Sequence, residues 1–252
     1  MTDYYIQPYF NQAVTLKLKN NETKVEIPYY FPSNYFIKLI SNSNIINTIP
    51  ITLASDGWMA VIFNQFLEDL YLNKEDLKNK EILSPSKETF EKYKSQIDSL
   101  FYMGVYFVGG LKPIDGDNFI FETKVRCRKG SVFQPTNTKI GFRYENFNGS
   151  FPLIYEKDIS TAECIFEKMV LKNTNNSMRL LICDINEWQA LRYEVKDRKF
   201  RIYINNTLRF EYEYFTPAGK LLGFNFLFPG LGEIDYIKLY DLNKTMVYEN
   251  EF

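Results

Sequence analysis

The last quarter of the chain, from Trp188 to Phe252, is the sequence feature that most restricts the fold. Short runs of alternating apolar and polar residues follow one another, separated by short links such as Asp197-Arg198 and Asn205-Asn206. Asn and Asp tolerate the positive φ that tight hairpins require. Closely spaced strands without helices between them are typical of β-sandwiches and jelly rolls. The pattern therefore predicts an all-β fold.

Composition excludes several kinds of chemistry. The 252 residues include no histidine, which rules out Ser-His-Asp and Cys-His nucleophile pairs, His-ligated zinc and a histidine pH switch. The 30 basic and 31 acidic residues give a formal net charge of -1 without a basic stripe, so nucleic acid is not an expected partner. Cys127, Cys164 and Cys183 are flanked by strand-like residues, which predicts buried free thiols.

The pattern divides the chain into three predicted parts. Residues 1–66 carry short alternating runs and turn residues, which predict a small antiparallel sandwich. Residues 67–100 are rich in Lys and Glu and are predicted to be a helical connector. Residues 101–252 return to the strand pattern and predict a second, larger β domain. The strand run Trp58–Phe63 belongs to the first part in this division.

Within the connector, Ser84-Pro85 or Ser86 can begin a helix. At helical spacing the apolar residues form one stripe, which consists of Phe90, Tyr93, Ile97 and Leu100. We expect this stripe to pack between the two β domains rather than to bind a partner. Asn73 can cap a shorter helical turn that runs into Leu77.

The location of the protein is open from composition alone. No apolar run approaches the roughly 20 residues of a membrane span, and the first residues do not form a signal peptide. The chain is therefore either cytoplasmic or a fragment of a longer exported protein. The resemblance described next favours the second alternative.

The sequence of residues 101–252 resembles concanavalin A-like or laminin G-like sandwiches. The resemblance is carried by Asn118–Arg126, Trp188–Val195, Lys199–Asn205, Gly219–Phe226 and Ile234–Tyr240. In that group, a strand that begins with Trp precedes a hairpin ending in Asn. The resemblance implies a jelly-roll β-sandwich of the lectin and glucanase type, and it assigns no reaction.

The N-terminal part, from Tyr4 to Val61, resembles the later strands of a PKD-type immunoglobulin-like domain. Such domains precede lectin-like modules in bacterial envelope proteins that an upstream transmembrane segment anchors. The resemblance implies a small immunoglobulin-like sandwich, a short helical connector and a larger concanavalin A-like sandwich. It also implies an extracytoplasmic position, in the periplasm or at the cell surface.

A near-match to a glycosidase motif lies at Glu233-Ile-Asp235-Tyr-Ile-Lys238. Laminarinase-type glycoside hydrolases carry Glu-x-Asp-x-x-Glu, in which the first Glu is the nucleophile and the last Glu is the acid/base. Retaining hydrolysis needs one ionised and one protonated carboxyl, about 5 to 5.5 Å apart. Lys238 cannot easily replace the acid/base, and its charge is expected to bind Glu233 in an ion pair. We therefore expect a structural role and no hydrolysis of β-glucans.

Two further groups of residues are candidate binding sites. Asp115 and Asp117 form an acidic loop with Asn118 that could bind calcium, although turn formation explains the same residues without a metal. Sugar sites combine a stacking ring with amide and carboxylate groups. The candidate ligand-binding residues of this kind are Arg143, Tyr144, Asn146, Asn148 and Tyr155. Trp188 is expected to be a core anchor instead.

The sequence predicts a non-catalytic module that binds carbohydrate or another protein at the bacterial envelope, with no cofactor required. One alternative is a purely structural or protein-interaction domain of a membrane-anchored protein. A second alternative is a glycoside hydrolase of the laminarinase-like jelly-roll type. An enzyme needs two carboxyl groups that converge in an open cleft, whereas a binding module needs an exposed aromatic surface.

Overall fold

The computed structural model describes residues 34–41, 44–52, 58–64, 70–72, 74–79, 81–93, 100–107, 111–112, 114–128, 137–172 and 176–251. The chain divides into two compact units, Met1–Ala54 and Ser55–Phe252. In the first unit, β1 (Asn34–Ser41) and β2 (Asn44–Thr52) form an antiparallel hairpin. The strands predicted before residue 34 lie outside the described residues, and the immunoglobulin-like domain stays a prediction.

The second unit consists mainly of strands. These are β3 (Trp58–Asn64), β4 (Leu70–Leu72), β5 (Lys78–Asn79), β6 (Ile82–Leu83), β7 (Leu100–Phe107), β8 (Ile114–Asp115), β9 (Asn118–Arg128), β10 (Thr138–Tyr144), β11 (Asn148–Leu153), β12 (Glu163–Phe166), β13 (Met169–Lys172), β14 (Gln189–Lys196), β15 (Lys199–Ile204), β16 (Thr207–Glu213), β17 (Lys220–Phe228), β18 (Leu231–Asp241) and β19 (Met246–Glu251). The helical segments are α1 (Lys74–Leu77), α2 (Lys87–Lys92) and the 3-10 turns Glu156–Thr161 and Asn176–Leu181. Among the helices that the structure describes, none has the length and apolar character to cross a lipid bilayer.

The strands form two antiparallel sheets. The nine-stranded sheet has the order β13-β12-β11-β10-β17-β7-β3-β4, with β8 paired to β17. The eight-stranded sheet has the order β16-β15-β14-β9-β18-β6-β5, with β19 paired to β18. Chain neighbours such as β14, β15 and β16 form hairpins, whereas β9 pairs with β18 near the end of the chain. This order joins early and late segments, as in a jelly roll.

The hydrophobic core lies between the two sheets and is rich in aromatic rings. Phe121 of the eight-stranded sheet contacts Phe142 and Phe224 of the nine-stranded sheet, with ring centroids 5.2 and 4.8 Å apart. Phe151 stacks on Phe200 across the same interface at 4.2 Å. Edge-to-face and stacked contacts of this kind stabilise a core beyond the area they bury. The predicted all-β sandwich is therefore confirmed for the second unit.

The strand predictions for the second unit follow from alternation. Residues of β9 alternate strictly between buried and half-buried, and β14 and β15 do the same. In a strand, successive side chains point to opposite faces, so the apolar positions all reach the core. The predicted links at Asp197-Arg198 and Asn205-Asn206 are two-residue turns with positive φ at both positions.

The sandwich begins before residue 101, the limit that the sequence analysis gave it. β3, which the sequence analysis assigned to the first domain, pairs with β7 on one side and β4 on the other. Ala60, Val61 and Ile62 are all fully buried, because this strand is covered on both faces. The predicted connector also contributes β4, β5 and β6 to the two sheets. These strands are only two or three residues long, and β6 pairs with the distant strand β18, so the local pattern did not show them.

The predicted helix in the connector is confirmed as α2, and it is shorter than the apolar stripe. Ser86 is the N-cap, and its hydroxyl accepts a hydrogen bond from the backbone N–H of Thr89 at 3.1 Å. Phe90 and Tyr93 pack against the sandwich core. Ile97 lies outside the described residues, and Leu100 begins β7 instead of continuing the helix.

The cysteines agree with their prediction. Cys127 and Cys164 are buried, Cys183 is half-buried, and all three are free thiols. Each sits in apolar surroundings where a small side chain is enough to fill the space. Their role in the fold is packing, and none of the three supplies a crosslink.

Candidate functional site

Five loops meet at one end of the sandwich, and together they form what we call the end cluster. The loops are residues 115–118, 144–148, 167–168, 197–198 and 214–219. The strand register brings them together: Lys196 pairs with Asn118, Lys199 pairs with Glu213, and Tyr144 pairs with Leu221. The last of these loops joins β16 to β17, and we call it the Phe215 loop.

Three carboxylates from three different loops bind the backbone of the Phe215 loop. Asp117 accepts hydrogen bonds from the backbone N–H of Ala218, at 3.0 Å, and from the hydroxyl of Tyr214, at 2.6 Å. Glu145 accepts one from the N–H of Lys220, the first residue of β17 directly after the loop, at 3.2 Å. Glu167 completes the set by binding two further N–H groups.

The bonds made by Glu167 lie at the tip of the loop. Its carboxylate accepts hydrogen bonds from the backbone N–H of Thr216, at 3.0 Å, and of Phe215, at 3.4 Å. A hydrogen bond from the Thr216 side chain, reinforced by these backbone donors, lowers the pKa of Glu167 below its ordinary value. The carboxylate therefore stays ionised when it binds the loop at neutral pH.

Phe215 is presented to solvent at the tip of this loop. Its side chain is 78% exposed, the largest value among the large apolar side chains that the structure describes. Its carbonyl accepts a hydrogen bond from the guanidinium of Arg198 at 3.0 Å, while its N–H is bound by Glu167. Both polar backbone groups of Phe215 are thus bound by side chains, and the ring stands on a loop with little freedom to move.

Aromatic packing supports the loop from below. The rings of Phe147, Phe166 and Tyr214 pack against one another at centroid distances of 4.9 to 5.7 Å. Tyr214 is 1% exposed, and burial together with its hydrogen bond to Asp117 raises the pKa of its hydroxyl. Gly116 allows the loops to approach closely, because a Cβ at this position would lie 2.7 Å from the carbonyl oxygen of Gly219.

The structure separates the five predicted ligand-binding residues. Asn146 and Asn148 are exposed in the end cluster, and the Nδ2 of Asn146 donates a hydrogen bond to the Pro217 carbonyl at 2.8 Å. Arg143 is half-buried on β10. Tyr144 lies in the core beneath the cluster and is only 3% exposed, so its ring is not a ligand surface. Tyr155 follows β11 at the end of that strand opposite to Asn148.

Sequence reasoning missed Phe215, Glu167 and Arg198. Phe215 lies between an alternating strand and the turn residues Pro217 to Gly219, where it continues neither pattern. An aromatic residue just before a Pro-Ala-Gly turn was the available signal. Glu167 and Arg198 have no such signal in the sequence, because Phe215, the residue that both bind, is 48 and 17 residues away.

The two acidic residues proposed for calcium already bind protein donors. Asp117 binds Tyr214 and Ala218, as described above. Asp115 accepts hydrogen bonds from the N–H of Asp117 at 2.9 Å and from the Nδ2 of Asn118 at 2.8 Å. Within the described ranges, no three His, Cys, Asp or Glu side chains are grouped so that they could bind a metal ion. This geometry is that of an Asx turn that anchors a neighbouring loop.

The near-match to the glycosidase motif lies on the outer face of the eight-stranded sheet. Glu233 is 2% exposed and pairs with the guanidinium groups of Arg126 and Arg128. Asp235 occupies a bulge in β18 and pairs with Lys124 at 2.6 Å. The expected ion pair between Lys238 and Glu233 is wrong.

Lys238 instead lies 2.9 Å from Glu249 on the adjacent strand β19. Glu233 and Lys238 lie five positions apart along β18, so each reaches a different cross-strand neighbour. The motif is therefore a set of cross-strand ion pairs.

The expectation that Trp188 is a core anchor is also wrong. Trp188 is half-buried and lies outside the core. The guanidinium of Arg126 is 4.5 Å from the centroid of its ring, and the ammonium of Lys124 is 5.1 Å away. The indole thus covers Arg126, which pairs with Glu233, and Lys124, which pairs with Asp235, in cation–π geometry. Gln189, the next residue, is buried, and the alternation of β14 continued one residue back places Trp188 on the outer face.

Comparison with known proteins finds distant likenesses among solved structures. No family model and no curated protein sequence matches the chain. Similar solved structures include the Emp47p carbohydrate recognition domain, with 10% identity and a TM-score of 0.40 over 82% of this chain and 94% of that one. A carbohydrate binding module, CBM66 from Bacillus subtilis, has 12% identity and a TM-score of 0.33 over 55% and 84%.

A third similar structure comes from work on endo-acting O-glycanases of the human gut microbiota that initiate mucin breakdown. It has 13% identity and a TM-score of 0.40 over 57% of this chain and 76% of that one. Because the TM-scores are below 0.5 and the identities below 25%, these likenesses carry no argument about function. The function is therefore argued from the end cluster.

Proposed function

We propose that this protein is a non-catalytic carbohydrate-binding module and that the end cluster is its binding surface. The observation that carries the proposal is Phe215, an exposed aromatic ring on a loop that three carboxylates immobilise. A sugar ring has an apolar face that stacks on an aromatic ring and hydroxyl groups that need polar partners. The exposed amides of Asn146 and Asn148 lie at the same end of the sandwich and can supply such partners.

Immobilisation of the loop supports binding over a purely structural role. An exposed phenylalanine does not stabilise the fold by burial, and an unneeded one raises the risk of aggregation. The hydrogen bonds to its N–H and carbonyl order the ring before a ligand arrives. Binding then costs less conformational entropy, which is how preorganised sites gain affinity.

The chemistry of the remaining acids and thiols supports binding without catalysis. Glu233 is 2% exposed and pairs with two guanidinium groups, so its carboxylate oxygens are not open to a substrate. Burial raises the pKa of the Cys127, Cys164 and Cys183 thiols to about 12, so they do not supply a thiolate near pH 7. We infer that the laminarinase-like alternative is not the activity of this sandwich.

We further propose that the module works outside the cytoplasm of a bacterium, as part of an envelope protein. The support is the resemblance of residues 101–252 to sandwiches that follow immunoglobulin-like domains in such proteins. Cell fractionation with an antibody against the sandwich tests this: recovery in the envelope or medium is expected, and recovery with cytoplasmic markers contradicts it.

Replacement of Phe215 by Ala tests the binding surface. A stacking ring at the centre of a site typically contributes 2 kcal/mol or more, so we expect an affinity loss of about 30-fold for the glycans that the wild type selects on an array. Because the ring is exposed, the thermal midpoint should stay unchanged. Leu180→Ala is the matched control, since Leu180 is also exposed, at 50%, and lies outside the end cluster.

The array itself decides whether a ligand of this class exists. If the wild type binds no glycan, or if Phe215→Ala and Leu180→Ala bind equally well, the end cluster is not a carbohydrate site. A β-glucan digest followed by product analysis is run in parallel, and release of sugar that Glu233→Gln abolishes would establish the hydrolase alternative instead.

A further inference from the structure

The turn between β14 and β15 has a residue that its backbone does not favour. Asp197 and Arg198 have φ values of 51° and 64°, both in the left-handed region. The next hairpin has the same geometry, with φ values of 50° and 64° at Asn205 and Asn206. Asn is well suited to this conformation, whereas a long side chain such as Arg pays a conformational cost there. The turn conformation therefore explains Asn206 in one hairpin but does not explain Arg198 at the equivalent position of the other.

The Arg198 side chain lies at the proposed binding surface. One of its N–H groups donates to the carbonyl of Phe215 at 3.0 Å, and its own carbonyl accepts from the N–H of Tyr214 at 3.0 Å. The guanidinium thus contacts the backbone of the residue that carries the exposed ring. Arg198 is an exposed residue, so the remaining donors of its planar fork face solvent.

Arg198 has no ion pair among the described residues. No carboxylate oxygen lies within 4 Å of it, as is also true of Arg179 and Arg209, whereas Arg126, Arg128, Arg192 and Arg201 each have such a partner. The nearby carboxylates are already engaged, because Asp117 and Glu167 accept backbone N–H groups of the Phe215 loop. The positive charge of Arg198 is therefore not compensated from within this part of the fold.

A guanidinium without an ion pair, bound to the backbone of an exposed aromatic residue, fits one class of ligand. The guanidinium binds a carboxylate through two parallel hydrogen bonds, and an ammonium or amide cannot reproduce that geometry. The aromatic ring binds the apolar face of a sugar. We propose that the end cluster binds an acidic carbohydrate, whose carboxylate pairs with Arg198 while its ring stacks on Phe215; this inference rests on the proposed function.

The simplest competing role for Arg198 is to position Phe215 through the carbonyl hydrogen bond. That role affects acidic and neutral glycans equally, whereas carboxylate recognition affects only the acidic ones. The ratio of the two affinities therefore separates recognition from positioning.

The test uses oligogalacturonides and the same oligosaccharides after chemical reduction of their carboxylates to alcohols, together with sialylated glycans and their desialylated forms. Affinities are measured for the wild type, Arg198→Asn and the control Arg179→Asn. Asn occupies the equivalent turn position at residue 206, so Arg198→Asn should fold with an unchanged or higher thermal midpoint. Arg179 is exposed in a 3-10 turn outside the end cluster.

We expect the wild type to bind at least one acidic glycan about tenfold or more tightly than its neutral counterpart. Arg198→Asn should remove this preference, and Arg179→Asn should keep it. Two outcomes overturn this inference and leave the proposed function standing. One is equal binding of acidic and neutral glycans by the wild type, and the other is an acidic preference that persists in Arg198→Asn. An equal loss for both members of each pair shows positioning only. Binding of no glycan overturns both proposals.

Discussion

Loss of the hydrogen bond between Tyr214 and Asp117 should destabilise the whole sandwich. The Tyr214 hydroxyl donates to the Asp117 carboxylate at 2.6 Å, and Tyr214 is 1% exposed. The same carboxylate binds the N–H of Ala218 at 3.0 Å. Tyr214→Phe removes one of these bonds, and Asp117→Ala removes both and leaves two donors without a partner.

The size of the effect follows from the charge of the acceptor. A hydrogen bond to an ionised group contributes about 1.5 to 3 kcal/mol, roughly twice a neutral one. We therefore expect Tyr214→Phe to lower the free energy of unfolding by about 2 kcal/mol. Asp117→Ala should cost about 4 kcal/mol, since the hydroxyl and the N–H both lose their acceptor.

Urea denaturation of the two single variants and the double variant measures the coupling between these residues. In the Asp117→Ala background the Tyr214 hydroxyl is already unpaired, so Tyr214→Phe should be neutral or stabilising there. A coupling free energy of about 2 kcal/mol is expected, and additive effects within about 0.5 kcal/mol would refute the reasoning.

Tyr144→Phe provides the matched control for this cycle. The Tyr144 hydroxyl is buried and has no hydrogen-bond partner in the described structure. Because an unsatisfied buried hydroxyl is costly, its removal should raise the free energy of unfolding or leave it unchanged. The same chemical change is thus expected to have opposite signs at two neighbouring tyrosines.

Two other ionic contacts give further tests. Glu167 has a lowered pKa in the folded state, so its contribution to stability is complete above the ordinary value of 4.5 and is lost as the pH falls through the folded value. Glu167→Gln should therefore flatten the acid side of a plot of thermal midpoint against pH, and an identical acid slope would contradict this. At the outer face, Arg126→Ala leaves Glu233 buried with one guanidinium fewer and should cost about 3 kcal/mol by urea denaturation. Arg126→Ala in a Glu233→Gln background should cost much less, and an equal loss in both backgrounds would show that packing on Trp188 dominates.

The sequence was informative where structure depends on local patterns. The alternation of β9 and β14, and the turn residues at positions 197–198 and 205–206, gave the strands and hairpins of the eight-stranded sheet. It was uninformative where structure depends on distant pairing. β3 joins the nine-stranded sheet through β7, some 40 residues later, and no local signal in β3 indicates that partner.

The same distinction applies to the candidate site. Asn146 and Asn148 were predicted from composition, since amides in a loop beside a strand are a common element of sugar sites, and both are exposed in the end cluster; their binding role stays a prediction. Tyr144 followed from the same composition, but strand alternation on β10 places its ring inward. Asp117 binds a residue 101 positions away in the chain, so its role in the Phe215 loop could only be seen in the structure.

The way in which the Phe215 loop is held also bears on its function. In the described residues, neither a metal site nor a disulfide restrains it; carboxylates bind its backbone N–H groups instead. Glu167 and Arg198 bind the two polar groups of Phe215, and both have left-handed φ values, 54° and 64°. Strained residues persist where the surrounding structure compensates for them, and they concentrate at functional sites. A fold that needed only a closed loop could use Gly or Asn at these two turns. Strained residues at both positions that bind the backbone of Phe215 therefore favour a binding role for its exposed ring.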